Sequence, residues 1–274
     1  MLTVDHWPTL DRPLMVVALS GWVDAGVAGE GAIHALLEQC TDSDDFATLD
    51  LTDLLDLQQT RPTARFVEGG LRVIDWPHLQ FVAGRAGRDI VVVRGPEPSL
   101  RWRAVAGEIV EAARRLGVID AVTLGGMPAL VSHRRSLPVL ATATTRSLAQ
   151  ESGPLRPDYA GPTGMQTIVQ HALGAAGIPC VGLWVQVPQY VAGSPSPPAV
   201  RALLARLAEG HRLDLHLHDL DTRTDAYLNR VEEGLSARPD VKEIVDRLDR
   251  ESPRVESDEL VDEIERFLRS QSEE

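Results

Sequence analysis

The chain has 274 residues, is 43% hydrophobic and carries a formal charge of −13 at neutral pH. A chain of this length buries roughly 75% of the surface its unfolded form exposes, so a full core is within reach, alone or with a small appendage. The acidic balance argues against a nucleic-acid partner, which would need a basic face, and no apolar run approaches the roughly 20 residues that span a bilayer, so no membrane partner is expected.

Residues 14–19 form a short, continuously apolar run bounded by Pro13 and Gly21, the pattern of a buried strand. No basic n-region precedes it, which favours a core strand over a signal peptide, and a cytoplasmic location is expected. Val27, Ile33, Leu36 and Leu37 then recur at helical spacing up to Cys40. Residues 41–56 are rich in aspartate and read as partly loop. Strand-like stretches follow at 64–67, 71–75 and 79–82, the first two separated by Gly69-Gly70, which suggests an antiparallel hairpin added to the main sheet.

Residues 89–94 are a second core strand, and 99–116 read as a helix with Ser99 as cap and Gly117 at its end. Further strands are expected at 118–124, 137–142 and 179–187. Alternation of strands and helices with short connections calls for a layered, mostly parallel α/β sheet. After Ser194-Pro195-Ser196-Pro197-Pro198 the texture turns helical, with helices expected from about 197, at 222–235, at 239–250 and at 258–268. The domain reading is an α/β core over 1–195 with a hairpin insertion at about 60–85, and a C-terminal helical extension over 196–274 packed on it. From residue 239 onward there are thirteen acidic and six basic residues, so the tail is acidic.

Glycine turns mark the candidate crevice. Gly21, Asp24 and Gly26 follow the first strand, Gly95 and Glu97 the next core strand, and Gly125-Gly126 the strand at 118–124. Thr163 and Gly164 open a later helix. Such turns at the carboxyl ends of parallel strands are where open α/β sheets keep ligands. The spacings GxGxxG and GxxxxGK[ST] are absent, and Ser20 is in no GxSxG frame, so neither a nucleotide cofactor nor a nucleophile elbow is indicated. Asp24 fits a general base, or a cap at a helix start. Glu30 and His34, four apart, fit a base with its orienter or a surface pair. His133-Arg134-Arg135 fit a source of positive charge for the crevice, or exposed loop residues. His211, Asp214, His216, His218 and Asp219 resemble metal ligands in composition but lack recognised spacing, and no metal or other cofactor is expected. Trp22, Trp76, Trp102 and Trp184 read as core anchors, and Cys40 and Cys180 as buried free thiols.

The order of motifs resembles the proteasome-assembly-chaperone-2 family. They are Ser20-Gly21-Trp22-Val23-Asp24-Ala25-Gly26, Arg61-Pro62-Thr63, Asp75-Trp76-Pro77, Gly95-Pro96-Glu97-Pro98 with Trp102-Arg103, Leu124-Gly125-Gly126, Gly161-Pro162-Thr163-Gly164, Val187-Pro188-Gln189-Tyr190-Val191 and Ser194-Pro195-Ser196-Pro197. The resemblance implies an α/β core similar to nucleoside phosphorylases, a homo-oligomer, and proteasome subunits as partners of a non-enzymatic assembly factor. One departure is the end of the chain, Arg269-Ser270-Gln271-Ser272-Glu273-Glu274, where relatives that dock on the proteasome carry a hydrophobic-Tyr-any-residue tail. The alternative is a small-molecule enzyme or sensor of the phosphorylase or hydrolase kind. It would use the crevice of Gly21, Asp24, Gly95, Glu97, Gly125, Gly126, Thr163 and Gly164.

Overall fold

A computed structural model describes residues 2–151 and 160–250. The helix expected at 258–268 and the acidic chain end lie outside these residues. The fold is α/β, with an eight-stranded mixed sheet at its centre. In chain order its strands are β1 (Leu2–Val4), β2 (Leu14–Ser20), β3 (Thr41–Asp50), then, after a separate two-stranded hairpin of β4 (Thr63–Phe66) and β5 (Arg72–Asp75), β6 (His78–Ala86), β7 (Arg88–Pro96), β8 (Asp120–Ala129), β9 (Val139–Ala143) and β10 (Cys180–Pro188). The spatial order is β1-β3-β6-β7-β2-β8-β10-β9. The four central strands β7, β2, β8 and β10 are parallel, and antiparallel strands extend the sheet on both sides.

The central strands were legible because both of their faces are covered. Leu14, Val16 and Ala18 of β2 enter one core and Met15, Val17 and Leu19 the other. Helices α1 (Ala28–Leu37) and α5 (Pro197–His211) pack on the first face, and α2 (Trp102–Arg115) and α4 (Met165–Ala175) on the second. A short α3 (Arg146–Glu151) follows β9, and α6 (His218–Ser236) and α7 (Pro239–Arg250) follow α5. No helix among the described residues is long and apolar enough to cross a membrane.

Three local expectations are refined or corrected. The aspartate-rich stretch at 41–56, read as partly loop, divides: 51–56 lies outside the strands, and Thr41–Asp50 is the strand β3. It pairs with β6 through two register shifts that break its alternation, while Phe46, Ala47 and Leu49 are buried. The hairpin β4–β5 forms as expected but makes its own sheet, and the next stretch, as β6, joins the main sheet instead. Ser99 does not cap α2, which begins after Arg101; the Ser99 hydroxyl accepts the Asp56 N–H at 3.0 Å.

Candidate functional site

The turns after β2 and before α4 meet at the carboxyl edge of the sheet, and the chain itself fills the space between them; Gly125-Gly126, expected as a turn after a strand at 118–124, instead lie inside β8 and pair with Trp184 and Val185 of β10. An isolated bridge links Asp24 to Gly126, and the Gly126 N–H donates to the Val23 carbonyl at 3.0 Å. A Cβ on Gly126 would strike the Ala25 carbonyl oxygen, and one on Gly125 would sit 2.6 Å from the Trp184 ring and 2.8 Å from the Val23 carbonyl oxygen. These two glycines let the turn after β2 lie directly against β8.

Both carboxylates of the expected crevice are held at helix starts. Asp24 Oδ1 accepts the Gly29 N–H at 2.6 Å and Oδ2 the Glu30 N–H at 3.4 Å, so the side chain satisfies the first turn of α1. It is only 9% exposed, and burial raises its pKa to about 6 against the opposing pull of those two hydrogen bonds. Glu97 reaches across from the end of β7. Its Oε1 accepts the Met165 N–H at the start of α4, and its Oε2 accepts the Trp22 N–H at 3.4 Å. Gly21 and Gly164 both stand against Glu97, with Cβ positions 3.0 Å from its Cβ and 3.2 Å from its Oε1. Gly95 lies beside the His78 carbonyl, and Thr163 is exposed on the turn before α4. The helix N-termini that would cradle an anion thus already hold the protein's own carboxylates.

His133-Arg134-Arg135 are engaged with Tyr190, Glu232, Asp246 and Asp249 rather than with Asp24 or Glu97. Arg134 binds both oxygens of Glu232 and reaches Asp246 at 2.8 Å and Asp249 at 3.0 Å, clasping α6 and α7 to the connection after β8. His133 is 3% exposed. Its backbone N–H donates to the Tyr190 hydroxyl at 2.9 Å, so that hydroxyl donates to Nδ1 at 2.7 Å, and Nε2–H donates to Glu232 at 3.1 Å. Burial holds the His133 pKa below its ordinary value, and the Glu232 carboxylate only partly offsets this.

The histidine-rich segment is dispersed in the same way. His211 pairs with Asp120 at 2.9 Å beside Arg88, and the His216 N–H donates to Gln39. His34 pairs with Glu38 at 3.4 Å rather than with Glu30. Cys180 is buried and Cys40 half-buried; burial pushes their thiols up to about 12 and about 11.

Two features escaped the sequence reading. Trp22 and Trp76 are 40% and 49% exposed, where core anchors were expected, whereas Trp184 is buried. Trp76 closes the β4–β5 hairpin, whose Phe66, Leu71 and Ile74 are also exposed, so the hairpin carries uncovered apolar surface. A two-stranded hairpin is marginal alone in water, and apolar surface of this kind marks interaction sites. The second feature is a cleft of about 260 Å³ beside α1, at the ends of β2 and β7.

Residues 18–234 match the model of the PAC2 family. The chain is 38% identical to a PAC2 family protein of Streptomyces avermitilis, with a TM-score of 0.76 over 81% of this chain and 95% of that one. It is 33% identical to a proteasome-assembly chaperone homologue of Mycobacterium tuberculosis, with a TM-score of 0.75 over 80% and 94% of the two chains. An archaeal proteasome activator of Pyrococcus furiosus, 16% identical, shares the fold with a TM-score of 0.69 over 85% and 97%. No curated protein matches the chain.

Proposed function

The chain belongs to the PAC2 family, and from that membership we propose that it is a non-enzymatic, homo-oligomeric binding protein of the cytoplasm that takes part in proteasome assembly. The observation that carries this reading is the 33% identity, over four-fifths of the chain, to a protein described as a proteasome-assembly chaperone homologue. The geometry agrees with it. Asp24 and Glu97, the carboxylates best placed for chemistry at the strand ends, hold the starts of α1 and α4. The surface offered to a partner is the β4–β5 hairpin with Phe66, Ile74 and Trp76 exposed.

The test is reconstitution. Purified proteasome α and β subunits are mixed with the full chain, and complexes are followed by native mass spectrometry. Stoichiometric capture of a subunit or of an assembly intermediate is expected, weakened by Phe66→Ser and Trp76→Ser together. Absence of any complex, with assembly equally fast with and without the chain, would overturn the proposal.

A further inference from the structure

The sheet face under α1 changes character at its carboxyl edge. Along β7 the residues on that face run Ile90, Val92, Arg94; along β6, Val82 is succeeded by Gln80 and His78; along β2, Val16 and Ala18 by Ser20. Apolar residues that feed the core thus give way to polar ones together, on three neighbouring strands. Gln80 and Arg94 are direct cross-strand partners, which puts their side chains on one face. These polar ends line the cleft of about 260 Å³, with Glu30 and His34 of α1 as the other wall.

The position follows from topology. β2 and β7 are adjacent parallel strands, yet the helices that follow them, α1 and α2, cover opposite faces of the sheet. Open α/β sheets form their ligand crevice where the connections part in this way. The glycine turns nearby are packed shut, whereas this cleft remains.

The sheet wall of the cleft is a donor set, and the Glu30 carboxylate on the α1 wall is the acidic group among the lining residues. Arg94 Nε donates to Gln80 Oε1 at 2.7 Å, which fixes the guanidinium and turns the Gln80 amide so that its NH2 is free to donate. No described residue accepts from the two Nη groups of Arg94, and the Ser20 hydroxyl has no hydrogen bond to a described residue. A guanidinium oriented through Nε presents its two Nη groups as a fork that matches two oxygens of a carboxylate or phosphate. We propose that this cleft binds a small molecule through a carboxylate or phosphate group held by Arg94, Gln80 and Ser20. The small volume limits the ligand to about the size of a short organic acid or a sugar phosphate.

The full chain is titrated calorimetrically at constant ionic strength with glycerol 3-phosphate, lactate and inorganic phosphate, which separates phosphate esters, carboxylates and the free ion. Saturable binding of at least one is expected, weakened about tenfold or more by Arg94→Gln and less by Arg94→Lys, which keeps the charge but loses the fork. Arg103→Gln, on exposed α2 surface, should leave binding unchanged. Melting curves establish that each variant is folded. If none of the three anions binds the wild type, or if Arg103→Gln weakens binding as much as Arg94→Gln, the proposal fails.

Discussion

Asp24→Asn should make the protein more stable above pH 6 than the wild type, although it removes a charge from a helix start. The carboxyl lies at 3.8 in an exposed setting and at about 6 in the fold, because burial outweighs the hydrogen bonds from Gly29 and Glu30. At about 1.4 kcal/mol per pH unit, the ionised native state is disfavoured by about 3 kcal/mol relative to a chain whose carboxyl stays at its ordinary value. The folded state holds the proton more tightly, so this group costs stability as pH rises from about 4 to 6, and the full cost is present above 6. Asparagine keeps an acceptor for the Gly29 N–H at 2.6 Å, while at the weaker 3.4 Å contact its amide meets the Glu30 N–H, a loss of about 1 kcal/mol at every pH. Urea denaturation at pH 4, 5, 6 and 7 should therefore show the stability difference moving in favour of Asp24→Asn by about 2 to 3 kcal/mol across the series. A difference that stays constant from pH 4 to 7 would refute the reasoning, because it would mean Asp24 titrates alike in the folded and unfolded chain.

Further outcomes are expected. Gly126→Ala should lower stability by at least about 2 kcal/mol in a denaturant titration, since its Cβ has no room beside Ala25; Gly107→Ala, in open space within α2, should raise it by up to about 1 kcal/mol. Glu97→Ala should lower stability by about 1 to 2 kcal/mol through the freed Met165 N–H, with Glu97→Gln nearer the wild type in thermal melts. His133 acts with the sign opposite to Asp24. It is held neutral in the fold, so the unfolded chain takes up its proton first and stability falls as pH drops below about 6.5; denaturant titrations at pH 7.5 and 5.5 should show His133→Gln losing less stability on acidification. Arg134→Met should speed amide hydrogen exchange in residues 218–250 while leaving the β2, β7 and β8 amides protected, because its ion pairs join only the two helices to the connection after β8.

The central strands, α1, α2, α4 and α5 were legible because each buries a face or both faces, and burial imprints a run or a period on neighbouring residues. β3 was not legible, since register shifts break its alternation and its outer face carries aspartates. Gly21 and Gly95 stand at strand ends as expected, whereas Gly125-Gly126 lie within β8; the role of all four was open, because the same glycine serves a ligand's approach or the chain's own. The structure puts Val23, Ala25 and Trp184 against Gly125 and Gly126.

The partners of the charged groups were beyond sequence reasoning. Glu97 meets Met165 across 68 positions and Arg134 meets Glu232 across 98, and no periodicity records such pairs. The same holds for Trp22 and Trp76, whose exposure depends on whether another element covers their turns, and for Arg94 and Gln80, which share a cleft only through strand register. Local sequence thus determined which segments bury apolar surface and where the chain must turn tightly. Only the tertiary structure decided which carboxylate caps which helix, which tryptophan faces water and which strand ends stay open, because those outcomes depend on segments brought together from far along the chain.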